Sequence, residues 1–111
     1  MQALKAIAVG ACLFFASFIA TAECVMGGCT GYVEQLYIEA DGGLWLQTSG
    51  NETLAGCTAD SNIFLRLPGD APKFKEVYAL LLAAQLADRP VFVRLATGSN
   101  PCRILYVYMN R

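Results

Sequence analysis

No histidine occurs among the 111 residues, and only 15% of them are charged. Without an imidazole there is no Ser-His-Asp triad, no Cys-His pair and no His-based metal site. The C-x-x-C spacing of redox dithiols and zinc sites is missing too. Carboxylates remain as candidate acids and bases, but nothing in the spacing of Glu34, Glu39, Asp41 and Asp60 brings two of them together. No catalytic residue, metal or cofactor is therefore expected. Basic runs are also lacking. Lys5 is one of only eight basic side chains, and all nine acidic ones follow it, so residues 23–111 hold seven basic against nine acidic groups, a formal charge of −2. That balance argues against a nucleic-acid partner, which is held mainly by phosphate neutralisation. Internal repeats, low-complexity runs and linkers are absent, which leaves one small domain.

The chain opens with a single charge, Lys5, then an apolar and small-residue run from Ala6 to Ala20, then Ala20-Thr21-Ala22. This is the pattern of a cleaved secretory signal peptide over residues 1–22, with an A-x-A cleavage site. The run is too short and too poorly flanked for a membrane span, so no membrane insertion is expected after cleavage. Val9-Gly10-Ala11-Cys12 only loosely matches a lipid-attachment box, since few apolar residues precede it. The expected location is outside the cytoplasm, periplasmic or secreted.

Of five cysteines, Cys12 leaves with the leader and Cys24, Cys29, Cys57 and Cys102 stay. An even number in a short exported chain implies disulfides, with three connectivities to choose from. We favour Cys57–Cys102 and Cys24–Cys29, because Val25-Met26-Gly27-Gly28 is a short flexible bridge segment while the other pair must cross most of the fold. By chain entropy the long bridge contributes roughly 4 kcal/mol and the short one roughly 2 kcal/mol. Asn51-Glu52-Thr53 has the form of an N-glycosylation sequon, relevant only in a eukaryotic secretory pathway.

Beyond the cysteine-rich leader segment, Thr30–Ala40 reads as a strand, Asp41-Gly42-Gly43 as a hairpin turn and Leu44–Thr48 as a second strand. Alternation predicts a third strand over Asn62–Leu67. After Pro68–Pro72 breaks the pattern, Lys73–Ala87 reads as a helix stopped by Asp88-Arg89-Pro90. Val91–Thr97 and Arg103–Met109 are the last strands, around a Gly98-Ser99-Asn100-Pro101 turn. The predicted class is mainly β with one helix, an α+β, disulfide-bonded domain over residues 23–111. The order β-β-β-α-β-β is that of a five-stranded oligomer-binding (OB) barrel. An α+β sandwich has the same order, and sequence order does not report strand pairing.

With this element order, and with Val77-Tyr78-Ala79-Leu80-Leu81-Leu82-Ala83-Ala84-Gln85 as its most distinctive stretch, the chain resembles the OB-fold binding subunits of bacterial toxins that join one enzyme chain to five binding chains, such as subtilase cytotoxin. It is also similar to small uncharacterised exported bacterial proteins of the same build. The similarity is one of topology from Cys24 to Met109. No sugar-binding motif of those toxins matches residue by residue, so no functional residue is carried over. The resemblance implies a non-catalytic, glycan-binding module, in its most specific form a homopentamer.

Period-two alternation separates two populations on the strands. Leu44, Leu46, Ile63, Leu65, Leu67, Val91, Val93 and Leu95 make the expected interior. The outward set is Trp45, Gln47, Phe64, Arg66, Phe92 and Arg94, joined by Tyr37, Tyr106 and Tyr108. Aromatics beside amides and guanidinium groups are how sugars are held: the ring stacks, the polar groups bond its hydroxyls, and Arg takes an acidic sugar's carboxylate. OB ligands lie on the face of strands two and three, which makes Trp45, Gln47, Phe64 and Arg66 the candidate ligand site. The alternatives are packing of this face on the helix, and a protein-interaction or inhibitor module that uses it against a protein partner. The helix has eleven uncharged residues from Val77 to Ala87 and is apolar around most of its circumference. One side exceeds what a small domain can cover, so Leu80, Ala83 and Ala87 are the expected oligomer interface.

Overall fold

The computed structural model describes residues 22–110. The signal peptide expected over residues 1–22 thus lies, apart from Ala22, outside the described residues. The strands are β1 (Glu23–Val25), β2 (Gly28–Gly31), β3 (Val33–Ile38), β4 (Leu44–Thr48), β5 (Leu65–Leu67), β6 (Val91–Leu95) and β7 (Ile104–Tyr108), with helix α1 (Phe74–Ala87) between β5 and β6. They fall into two antiparallel sheets, β1-β2-β6-β7 and β3-β4-β5. The fold is mainly β with one helix and two disulfides, Cys24–Cys29 and Cys57–Cys102, the favoured pairing.

Several boundaries differ from the sequence reading, each for a local reason. The five-stranded closed barrel is replaced by two sheets, because the first expected strand changes partner midway. Tyr32 interrupts Thr30–Ala40: its N–H donates to Ser49 Oγ at 2.9 Å and its C=O accepts from Ser49 N–H at 3.0 Å. β2 before it pairs with β6, and β3 after it pairs with β4. The segment taken for a flexible bridge is a hairpin, in which Cys24 and Cys29 face each other across β1 and β2. Asn62–Leu67 is a strand only from Leu65. Ser61 and Asn62 take left-handed φ of 52° and 67°, and Phe64 N–H bonds back to Asp60 C=O, so alternation does not extend to Ile63. Ile63 is accordingly exposed and not part of the interior.

The other seven expected interior residues are buried, together with Ile104, Cys29 and Cys102 and with Leu81 and Ala84 from α1. Helix α1 rests against β3 and β7. Phe74, Val77, Tyr78 and Leu80 pack on this core, while Ala79, Ala83, Leu86 and Ala87 are exposed. Of the three expected interface residues, Leu80 therefore turns to the core, and Ala83 and Ala87 face outward. The helix ends at Asp88, in the left-handed region, whose N–H reaches Ala84 C=O and Gln85 C=O before Pro90.

Besides the Tyr32–Ser49 hydrogen bonds, the two sheets are joined where β5 approaches β7. A parallel bridge joins Arg66 to Arg103, and Arg66 N–H donates to Cys102 C=O at 2.7 Å. The Cys57–Cys102 disulfide lies at this junction, flanked by Cys102 N–H to Thr58 C=O and Thr58 N–H to Ser99 C=O.

Candidate functional site

The expected ligand residues lie on the outer face of β3-β4-β5. Alternation from buried Leu44 and Leu46 turns Trp45 and Gln47 outward, and buried Leu65 and Leu67 do the same for Arg66. Register sets Tyr37 opposite Trp45, Trp45 opposite Arg66, and Gln35 opposite Gln47. Phe64 joins from the turn before β5. Its ring meets Tyr37 edge-on at 5.5 Å and Trp45 at 6.3 Å, and Tyr37 and Trp45 lie 6.5 Å apart and 25° from parallel. These separations are typical of favourable aromatic contact and leave a half-buried platform of three rings.

Arg66 closes one end of the platform. Its guanidinium carbon is 4.7 Å from the Trp45 ring centre, a cation–π distance. Arg66 Nη1 donates to Glu39 Oε1 at 2.6 Å and Nη2 to Asp41 Oδ2 at 3.3 Å, and Trp45 Nε1 donates to the same Glu39 oxygen. The hairpin turn explains the arrangement. Gly42 N–H bonds Glu39 C=O, Gly43 N–H bonds Asp41 Oδ1, and a side chain at Gly43 would collide with the guanidinium. The Gly43 N–H, with help from Arg66, holds the Asp41 carboxyl below its ordinary value. Glu39 and Asp41, which no spacing rule brought together, thus meet through Arg66. One guanidinium lies between two carboxylates, so Arg66 is already paired within the chain, whereas the sequence alone suggested a guanidinium available to an acidic sugar's carboxylate.

Gln47 sits beside the platform and lines a cleft of about 550 Å³ together with Gln35, Ser49, Asn51, Asn62 and Ile63. Glu52 forms part of this cleft and is buried, its Oε2 accepting from Thr48 N–H at 2.7 Å and Thr48 Oγ1 at 2.6 Å. Asn51 Oδ1 is engaged by Thr53 N–H and Thr53 Oγ1. Sequence reasoning missed Gln35, Glu39, Glu52 and Asn62 as site residues. Gln35 and Glu39 were recoverable, because they continue the outward alternation of Tyr37 along β3 and one residue past its end. Glu52 carried no such signal: its burial comes from a turn that folds it back on Thr48.

Phe92, Arg94, Tyr106 and Tyr108 do not join this face. They form a separate cluster on the outside of β2-β6-β7, with Phe92 stacked on Tyr108 at 5.0 Å and 6.5 Å from Tyr106. The single outward face expected from alternation becomes two because the strands belong to two sheets. Among the described residues no group of His, Cys, Asp and Glu side chains is arranged to hold a metal ion. No described helix is long and apolar enough to cross a membrane. Two disulfides fit an oxidising, non-cytoplasmic environment. No protein-family model matches the chain, and neither a curated protein nor a solved structure matches it.

Proposed function

We propose that the chain is an exported, non-catalytic binding module that holds an uncharged sugar ring of a glycan on the Tyr37-Trp45-Phe64 platform. The carrying observation is continuity: three aromatic rings adjoin Gln35 and Gln47, whose amides open onto a polar cleft. Stacking on the rings and hydrogen bonds from the amides suit the two faces of a pyranose. The net negative charge around Arg66 favours neutral over acidic sugars. A non-catalytic role is supported by the lack of histidine and by carboxylates that are already engaged, Glu39 and Asp41 by Arg66 and Glu52 by Thr48.

An OB-like, partly open barrel is the finer fold reading. Its support is the path β2-β6-β7, then the Arg66–Arg103 bridge to β5, then β5-β4-β3, with β3 following β2 in the chain. Self-association belongs to the same proposal and rests on the exposed Ala83, Leu86 and Ala87 of α1, where Leu86 is 79% exposed.

Trp45 is the only tryptophan, so its emission reports on the platform directly. Titration with neutral oligosaccharides should perturb that emission, and Gln47→Ala should weaken binding without loss of stability, since Gln47 is outside the ring contacts. Native mass spectrometry of the same sample gives subunit number. A glycan array with no binder, or binding indifferent to both Gln47→Ala and Trp45→Ala, would sink the glycan reading. A co-purifying protein released by those variants would favour a protein partner on this face instead.

A further inference from the structure

Strand β7 is paired along one side only. Ile104–Tyr108 hydrogen-bonds with β6, and toward the other sheet, although β5 lies near, the only backbone bridge among the described residues is Arg66–Arg103, just before its start. Among the described residues, no backbone hydrogen bond from that side reaches Leu105–Tyr108. The neighbouring segment is ill suited to provide one, since Pro68 and Pro72 lack an N–H and α1 begins at Phe74.

Between β7 and that segment runs a groove of about 680 Å³. Four consecutive residues, Ile104 to Val107, line it. The ladder with β6 skips Leu105, so alternation is interrupted by a bulge there, and the four residues line the groove along the strand's free side, where unpaired main-chain N–H and C=O groups point. Leu67, Ala71 and Val77 give the opposite wall an apolar surface. Apart from the bulge at Leu105 the edge carries few of the usual protections, because Ile104-Leu105-Tyr106-Val107-Tyr108 has no charge, proline or glycine.

Charge narrows the choice of occupant. Exposed Lys73 and Arg103 both line the groove, against one acid, Asp70. Both ion pairs among the described residues belong to Arg66, so Lys73 and Arg103 have no carboxylate partner there. We propose that this groove takes an extended peptide segment of another protein, added as a strand beside β7, with an acidic side chain against Lys73 and Arg103. Main-chain pairing supplies affinity in this mode, and the flanking wall and charges supply selectivity. The site lies apart from the aromatic platform and does not depend on the glycan reading.

The probe is a fluorescent peptide of about six residues, alternating Val and Thr with a terminal Glu, titrated into the oxidised chain. Two further versions carry N-methyl groups on alternate amides, in opposite registers. The peptide should bind, and only one N-methylated register should lose affinity, by about tenfold or more, because only one set of amides faces β7. Arg103→Glu should weaken the acidic peptide about two- to fivefold and favour a Lys-ended peptide by a similar factor. Outward amides of Leu105–Tyr108 should exchange freely in the chain alone and slow when peptide is added. Absence of binding, or equal affinities for the two N-methylated registers, overturns the proposal. So does concentration-dependent protection of those amides without peptide, which would assign the edge to a second copy of the chain.

Discussion

On the outer face of β3-β4-β5, Arg66 is gripped by Glu39, Asp41 and the Trp45 ring; on the outer face of β2-β6-β7, Arg94 stands exposed opposite Tyr106 and makes no ion pair among the described residues. Both faces present aromatics and an arginine at alternating strand positions, and both rely on a glycine for close approach. Gly43 leaves room for the Arg66 guanidinium, and Gly28 leaves room for the Phe92 ring. The difference originates in the connecting turns. The β3–β4 turn brings two carboxylates to Arg66, whereas Gly98-Ser99-Asn100-Pro101 between β6 and β7 contains no acid. An outward arginine is therefore a fixed structural part on one face and an uncommitted cation on the other, and the turn chemistry sets which.

The largest effect is expected from loosening the junction between the sheets. Cys57→Ser with Cys102→Ser removes the bridge beside the Arg66–Arg103 contact and should lower stability by about 2–5 kcal/mol. Urea denaturation of the double variant against the parent measures it. A loss no larger than that of Cys24→Ser with Cys29→Ser would mean that the sheets hold together without the long bridge.

A sharper test sets the two arginines against each other. Arg66→Ala removes two ion pairs, a cation–π contact and ring packing at a largely covered side chain, and should cost about 1–2 kcal/mol. Arg94→Ala should stay within about 0.5 kcal/mol, as for most exposed substitutions. Thermal melts of both variants decide the matter, and equal shifts would show that the carboxylate grip on Arg66 contributes little.

The smallest effect is electrostatic. Because Asp41 titrates below its ordinary 3.8, mainly through the Gly43 N–H and then through Arg66, its contribution to stability is present above that value and disappears as pH falls through the lowered one. A carboxyl-detected NMR titration should show the depressed pKa, and Arg66→Ala should restore it only in part, because the Gly43 bond remains. A full return to 3.8 in that variant would shift the cause from the turn to the arginine.

Legibility in the sequence followed the range of the forces involved. The α1 boundaries were readable because Pro72, Asp88 and Pro90 act within a few residues of themselves. Leu44, Leu46, Leu65, Leu67, Val91, Val93 and Leu95 were assigned correctly to the interior, since alternation is a local consequence of strand geometry. Ile63 obeyed the same alternation yet is exposed, because left-handed Ser61 and Asn62 curl the chain before the strand starts. Trp45, Phe64 and Arg66 were correctly grouped across β4, β5 and the turn before β5. Gln47 stands beside them on the cleft, and Phe92 and Arg94 were wrongly added to the same face.

Local sequence was enough for β4, α1, β6 and β7, for the sides of β4, β5 and β6 that face the core, and for a cysteine count that demanded pairing. These depend on backbone periodicity, turn residues and composition, which operate over neighbouring residues. The tertiary structure alone decided that the chain changes sheets at Tyr32, that Glu39 and Asp41 converge on Arg66, that Glu52 is buried on Thr48, and that the β7 edge stays open. Each of these depends on which strand lies beside which, and that pairing is fixed by the shared burial of distant apolar residues, for which no single segment carries a local signal.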